Sequence, residues 1–256
     1  MAIIVKTREE VAAMREAGRI TARALDAVRR AVRPGVSTAE LDAIAEDVIR
    51  SNDATPVFLH YPNPSYDDAP YPATITASIN EELVHGIPGA RKLVTGDVLS
   101  VDCGCTYRGF VGDAAFTVGV GILSPEASRL VRVTEEALAR AIEASRVGNR
   151  LGDVSVAIQR HAESNGYNVV REYTGHGVGH DMHEDPLIPN WGKPRTGVEL
   201  RAGMTYAPEP MLMAGSPAVY VKRDLWTVAT RDHSLCAHFE HTIAVTDGEA
   251  AILTLL

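Results

Sequence analysis

The sequence predicts an α+β fold built from two similar halves related by a pseudo-twofold axis. Three observations carry that expectation. A pair of amphipathic helices recurs later in the chain, strand-like segments follow each pair, and carboxylates stand at matched places in those segments. Helices followed by antiparallel strands, twice over, give an α+β layer arrangement rather than a parallel α/β one.

The elements follow in order. Ala24 to Gly35, ALDAVRRAVRPG, resembles Ala137 to Gly148, ALARAIEASRVG, and at the same offset Leu41 to Asn52 aligns with Val154 to Asn165. In the first copy Leu41, Ile44, Ala45, Val48 and Ile49 recur at helical spacing behind Ser37 and Glu40, a capping-box pattern. In the second half Ser124 and Pro125 open a helix. Val154, Ala157, Ile158 and Ala162 stripe the next one, and Gly166 is placed to close it. Strand segments come after each pair. Leu93 to Asp102 parallels Leu200 to Glu209, with Gly96 on Gly203 and Asp102 on Glu209. Gly112 to Val120 parallels Phe239 to Asp247, with Asp113 on Glu240. Two repeats are too few for a solenoid, so the expectation is one domain over 1–256, with halves at about 7–121 and 122–256.

Composition excludes several functions. With 45% apolar and 23% charged residues the chain is ordinarily globular, and its net charge of −8 argues against a nucleic-acid or anionic-membrane surface. No apolar run approaches the ~20 residues of a membrane span, and MAIIVKTREE lacks the pattern of a signal peptide. Three cysteines make no disulfide framework. Cys103 and Cys105 flank Gly104 on one face of a strand and read as buried, inert thiols of a reducing, cytoplasmic setting.

The chemistry lies in the acids. Asp102, Asp113, Glu209 and Glu240 each interrupt an apolar strand segment and would face one another across the pseudo-twofold. A lone strand acid is ordinarily a solvated surface residue, but four at matched places are not. Buried together they would repel or share protons, unless divalent cations intervene. The physical solution is two metals about 3.5–4 Å apart, bridged by carboxylates and a water. Between the halves, YTGHGVGHDMHEDP places His176, His180 and His183 within eight residues. Gly175, Gly177 and Gly179 argue against a helix there. One histidine fits this site as the nitrogen ligand, and the glycines around His176 let backbone pass close to a metal there. His183 can face a substrate, and His180 has no obvious partner.

These residues resemble type I methionine aminopeptidases. The likeness runs from KTREEVAAMREAG to ILTLL and rests on SINEELVHGIP, VDCGCTYRGFVGDAA, GHGVGHDMHEDP, PEPM and FEHT. It implies the pita-bread fold, with Asp102, Asp113, His176, Glu209 and Glu240 as ligands of two divalent cations. It implies that His85 and His183 contact substrate and stabilise its tetrahedral intermediate, and that Tyr71, Thr76, Met182, Met211, Trp226 and Phe239 lie near the slot for the first side chain. The donor set suits Co, Mn, Fe or Zn, chosen by availability. Glu209 is the expected general base and acid, and Asp102 with one cation the anchor for the substrate's amino group. The implied activity is removal of initiator methionine before a small, uncharged residue. The expected partners are nascent peptides with N-terminal methionine, met at the ribosome or after it, with no nucleic acid, no membrane and no second subunit. No N-terminal zinc finger or docking extension is expected.

Several positions depart from the family pattern. Ala114 replaces a threonine and removes a hydroxyl expected near the metals. His180 stands where an arginine is usual, Pro208 removes a backbone donor beside Glu209, and the His60–Pro72 loop is long and proline-rich. Two other readings share the fold. One is a proline-specific peptidase, which usually carries a further N-terminal domain. The other is a metal-free binding protein, which has no need of five intact ligand positions.

Overall fold

The computed structural model describes residues 3–256. Helix α1 (Arg8–Ala31) begins at Thr7, whose side chain accepts the Glu10 N–H while Glu10 returns to the Thr7 N–H. Helix α2 (Thr38–Ser51) has the expected box, Ser37 with Glu40. Strands β1 (Thr55–Pro56), β2 (Ile75–Ile79), β3 (Glu82–Val84), β4 (Val98–Tyr107) and β5 (Phe110–Gly119) complete the first half. Helices α3 (Pro125–Ala144) and α4 (Leu151–Ser164) open the second, α3 capped by Ser124 and followed at once by proline. Then come β6 (Asn168–Val169), β7 (Thr174–Gly177), β8 (Glu184–Pro189), β9 (Thr205–Ala207), β10 (Met211–Met213), β11 (Val219–Val221), β12 (Val228–Thr230), β13 (Cys236–His238), β14 (Glu240–His241), β15 (Ile243–Ala244) and β16 (Ala251–Ile252). Among the described residues every strand pairing is antiparallel, in four ladders: β1-β4-β5-β14 with β2 on β4, β16-β15-β9-β7-β8, β13-β10-β6 and β11-β12-β3. The two three-stranded ladders carry too little repeat signal to be foreseen in the sequence.

The internal repeat is visible in the backbone. Gly35 and Gly148 take φ of +90° and +92°, and Gly96 and Gly203 take +99° and +88°, a region that favours glycine. Gly96 donates to Val120 as Gly203 donates to Val245. The Ser37–Lys92 bridge has its counterpart in Arg150–Glu199.

Each helix pair covers the outer face of its own ladder. Ile20, Leu25 and Val28 of α1 with Leu41 and Ile49 of α2 bury against Leu99, Val101, Cys103 and Phe116. Leu130, Val133, Val154 and Ile158 cover Tyr206, Ile188 and Ile243. Each such large side chain, fully buried, stabilises by about 1.5–3 kcal/mol. Cys103, Cys105 and Cys236 are buried free thiols. The inner faces of the two ladders are left for chemistry.

One expected strand is broken. Phe239 to Asp247 splits at Thr242, so that β14 pairs with β5 of the first half while β15 pairs with β9 of the second. The Thr242 N–H donates to the Asp113 carbonyl, and the Thr242 hydroxyl accepts the Asp113 N–H at 3.0 Å. This crossing places Glu240 beside the acids of the other half.

Candidate metal centre

Strand register sets the floor of the site. Thr76, Asp102 and Glu240 lie in one row with Ala115, because β2 pairs Thr76 with Asp102 and β5 pairs Ala115 with both Asp102 and Glu240. Cross-strand partners share a face, and Asp113, two residues before Ala115, shares it too. Gly104 stands opposite Asp113, and a Cβ there would lie 3.1 Å from the Asp113 Oδ1. The second half supplies His176 on β7 and Glu209 just past β9, brought together by the pairing of His176 with Ala207.

The glycine-rich stretch is a β-hairpin arm. Its glycines serve backbone contact rather than approach to a metal. A Cβ at Gly175 would strike the Ala207 carbonyl, one at Gly177 the Asp185 carbonyl, and one at Gly179 the side chains of Lys6 and Glu184. His176 Nδ1 is 2.9 Å from the Gly177 carbonyl. Donation there fixes the tautomer and leaves Nε2 free toward the acids.

Asp102, Asp113, His176, Glu209 and Glu240 line one cavity of about 220 Å3. His176 Nε2 lies 3.6 Å from Asp113 Oδ2, 3.8 Å from Glu209 Oε1 and 4.0 Å from Glu240 Oε1. Asp102 Oδ1, both Asp113 carboxylate oxygens and Glu240 Oε1 are buried without a hydrogen-bond partner. Burial first, then repulsion from Asp113 and its neighbours, holds the Asp102 and Glu240 carboxyls well above the usual carboxylate range. Burial lowers the His176 imidazole, but Asp113 and Glu209 outweigh it and raise its affinity for a proton. Unpaired buried carboxylate oxygens are costly. Convergent carboxylates with one imidazole are the donor chemistry of a divalent cation, so the residues present fit such ions.

The other end of the cavity is apolar. Phe58, Tyr61, Pro64, Tyr71, Met182 and Trp226 wall it, with Thr76, His85 and His183 at its edges. The Tyr71 hydroxyl is engaged between the carbonyls of Ile75 and Gly86, so only its ring faces the slot, edge-on to Trp226 at 5.1 Å. His85 has φ of +60° and stands edge-on to Tyr173 and Trp226. Enclosure, then the nearby His238 and His183, pushes it down to about 4. His183 Nδ1 is 2.5 Å from the Tyr61 hydroxyl, and its ring lies 4.3 Å from that of His176.

Other expectations meet a different outcome. Met211 and Phe239 do not line the cavity; both are packed in hydrophobic clusters. Ala114 points to the helix side of β5 and packs in the core, so a hydroxyl there would not reach the acids. Pro208 lies beyond β9 and costs that strand no ladder bond. The buried Asn190 holds the PEP segment instead, donating to the Glu209 carbonyl and accepting the Met211 N–H, each at 3.0 Å. His180 does have partners: the Gly109 carbonyl at 2.7 Å and the Phe110 ring at 4.3 Å, outside the cavity. The long loop is fastened over the slot by Asn63 to the Leu225 carbonyl and by Trp226 Nε1 to the Ala69 carbonyl. Phe58, Tyr61 and His238 were not read from the sequence. The alternation of His238 with Glu240 in AHFEHT is the signal that marks the last of them.

Comparison with known proteins agrees with this geometry. The model of metallopeptidase family M24 matches residues 12–247. A methionine aminopeptidase of Clostridium acetobutylicum is 46% identical over 99% of both chains. Methionine aminopeptidase 1 of Mycobacterium tuberculosis is 49% identical, covering 96% of this chain and 92% of that one. The crystal structure of methionine aminopeptidase from Thermotoga maritima superposes with a TM-score of 0.95 at 45% identity over the full length of both chains. An Xaa-Pro dipeptidase from Bacillus anthracis shares only the fold, at 23% identity and a TM-score of 0.77. The chain therefore belongs to metallopeptidase family M24, among its methionine aminopeptidases, and is a metal-dependent aminopeptidase of the pita-bread fold.

Proposed function

We propose that this chain removes N-terminal methionine from peptides whose second residue is small and uncharged, with two divalent cations held by Asp102, Asp113, His176, Glu209 and Glu240. The observation that carries the reading is the set of buried carboxylate oxygens without partners at the end of an apolar slot. Bound there, Co, Mn, Fe or Zn would polarise the scissile carbonyl and acidify a water.

The side chains do the rest. Glu209, at the open edge of the acid cluster, takes the water's proton and passes it to the leaving amine. Donation by the Tyr61 hydroxyl to His183 Nδ1 leaves the proton of a neutral imidazole on Nε2, so His183 can donate to the oxyanion. His85, kept neutral by its surroundings, hydrogen-bonds the scissile amide region. Asp102 receives the substrate's amino group. Phe58, Tyr71, Met182 and Trp226 offer an apolar slot that an unbranched thioether fills without a β-branch clash. At about 220 Å3 the cavity is smaller than the ~300–1,000 Å3 of drug-sized sites, in keeping with one side chain and a narrow entry.

Nascent peptides bearing N-terminal methionine are the partners this reading implies. Three buried free thiols support a reducing compartment, and among the described residues no helix is long and apolar enough to cross a membrane. The test is a Met-X-Ala-Ser series, with X as Ala, Gly, Ser, Leu or Arg, beside Ala-Pro peptides, on metal-loaded and chelated enzyme. Metal-dependent release of Met before Ala, Gly or Ser is expected. Preferential cleavage before Pro would overturn the assignment.

A further inference from the structure

A second cavity adjoins the catalytic one. It holds about 400 Å3 and shares Pro64, His85 and Trp226 with the slot as a common wall. Tyr66, Tyr173, Val221 and Leu225 make its outer side. Two segments build it, the loop of residues 62–70 and the turn of residues 222–227 between β11 and β12. Asn63, 6% exposed, ties them together. Its Nδ2 donates to the Leu225 carbonyl, while its Oδ1 accepts the Ser65 and Tyr66 N–H groups. Trp226 Nε1 donates to the Ala69 carbonyl at 2.8 Å, and Asp224 fixes the turn from within by accepting the Trp226 and Thr227 N–H groups. On this ordered rim Tyr66 is nevertheless 51% exposed and Val221 49% exposed. Large apolar groups left open side by side next to a catalytic slot mark a binding surface.

Chain geometry decides which part of a substrate reaches it. In an extended peptide alternate side chains share one side, roughly 6.6–7 Å apart, and the one between them points away. With the first side chain in the slot and the scissile amide at His85, the third side chain falls on the slot's side of the chain, beyond the shared wall. Tyr173 stands in that outer cavity, its ring edge-on to His85 at 5.9 Å. The lining then selects the side chain. Lys222 lies 2.6 Å from Glu82 Oε1 and 3.9 Å from Glu81 Oε1, so its charge is already matched. Asp67 and Asp68 stand exposed on the loop and would repel an acid. An aromatic or large apolar group suits the rings of Tyr66 and Tyr173 and covers Val221.

We propose that this cavity is the subsite for the third residue of the substrate, that it prefers an aromatic or large apolar side chain, and that Tyr66 sets the preference. The inference rests on the methionine-removal reading above and extends it, and the experiment separates the two. Metal-loaded wild type, Tyr66→Ala and Val221→Lys are assayed on Met-Ala-X-Ser peptides with X as Phe, Leu, Ala or Asp, and circular dichroism checks folding. Wild type should favour Phe and Leu over Ala by roughly 10-fold or more in kcat/KM, the scale of partly burying such a side chain. Asp should be poorest. The difference should sit in KM, because this side chain is bound alike before and during the reaction. In Tyr66→Ala the ratio of Phe to Ala should collapse toward one. Val221→Lys sets a new cation in the cavity, so the Asp peptide should rise above the Ala peptide, a gain that does not depend on the Tyr66 variant folding. If wild type releases Met from all four peptides equally well, or either folded variant keeps the wild-type order, the subsite is overturned while methionine removal stands. If wild type releases Met from none of them, the methionine reading fails and takes the subsite with it.

Discussion

Asp102 and Glu240 sit on opposite sides of Ala115, each its register partner, on the two strands that flank β5. Two carboxylates from separate halves are thereby set in one row with only a methyl group between them. Ala115 is 4% exposed, so the space above it is enclosed. Whatever fills that space decides whether the acids can converge.

Ala115→Val should therefore empty the site without touching a ligand. The added methyls rise between Asp102 and Glu240. Overpacking costs about 1–3 kcal/mol in stability, while metal affinity should fall by an order of magnitude or more. Ala114→Ser makes the control. Its hydroxyl enters the core on the other face, costs about 1–3 kcal/mol as an unpaired buried polar group, and leaves metal affinity alone. Equilibrium dialysis with thermal melts checks both. Normal metal binding by the Val variant would remove Ala115 from the account.

Metal loading should release protons. In the metal-free fold the Asp102 and Glu240 carboxyls are held above their ordinary range, whereas the unfolded chain ionises them near pH 4. Folding without metal then takes up protons, so stability falls as pH rises from about 4 toward the raised folded values. Buried His241 works the other way. Its folded value is lowered to about 4 by burial and then Arg29, so its cost grows as pH falls below about 6.5 and is absent at higher pH. Above pH 7 the carboxyls slope the curve together with His176, whose raised imidazole acts in the same direction, and with the buried thiols of Cys103, Cys105 and Cys236, which burial holds above their ordinary range. Chelated protein should therefore lose more Tm than loaded protein as pH rises from 7 to 8.5. Calorimetry in buffers of different ionisation enthalpy should show about one proton or more released on loading. Uptake of protons, or no exchange, would contradict the raised carboxyls.

Much of this was legible in the sequence because it lies in local patterns. Capping boxes, helical stripes and paired glycines are read from a few neighbouring residues, and Gly35 with Gly148 reports the repeat through a shared need for positive φ. The acids were legible because charge in an apolar strand is costly. What the pattern hid was facing. Ala114 and Phe239 sit one residue from Asp113 and Glu240, and a single step along a strand turns a side chain to the other face. Met211 follows the PEP segment closely but points into a separate cluster. His238 was hidden differently: a histidine two residues from an acid carries no signal until both are known to face inward.

The three histidines of the hairpin arm should separate by readout. His176→Ala removes the Nε2 that faces Asp113, Glu209 and Glu240, and should lose bound metal. His183→Ala should keep metal and lose kcat by ~100-fold or more, the scale of one lost oxyanion donor. His180→Ala gives up a contact with the Gly109 carbonyl and the Phe110 ring, away from the cavity, and should change both little. Metal content and kcat for the three variants test the set, and metal loss in the His180 variant would contradict it.

The loop that carries His183 is anchored from the far end of the chain. Lys6 Nζ meets Glu184 Oε2 at 2.6 Å, with side chains 0% and 7% exposed. The other oxygen, Oε1, accepts the His180 N–H at 2.8 Å. Glu184 therefore fixes the turn from within and is itself held by Lys6. Removing one partner of a buried ion pair costs about 3–5 kcal/mol, because the other charge is left unpaired. At roughly 2–4 °C per kcal/mol for a chain of this size, Lys6→Met should lower Tm by about 6–20 °C. It should also reduce kcat, since His183 follows that turn. Adding Glu184→Gln removes the stranded charge and keeps an acceptor for the His180 N–H, so the double variant should recover most of the lost stability. Recovery of kcat in the same double variant would place the effect in the loop rather than in global unfolding. A Lys6→Met protein as stable as wild type would show that the pair carries no anchoring role.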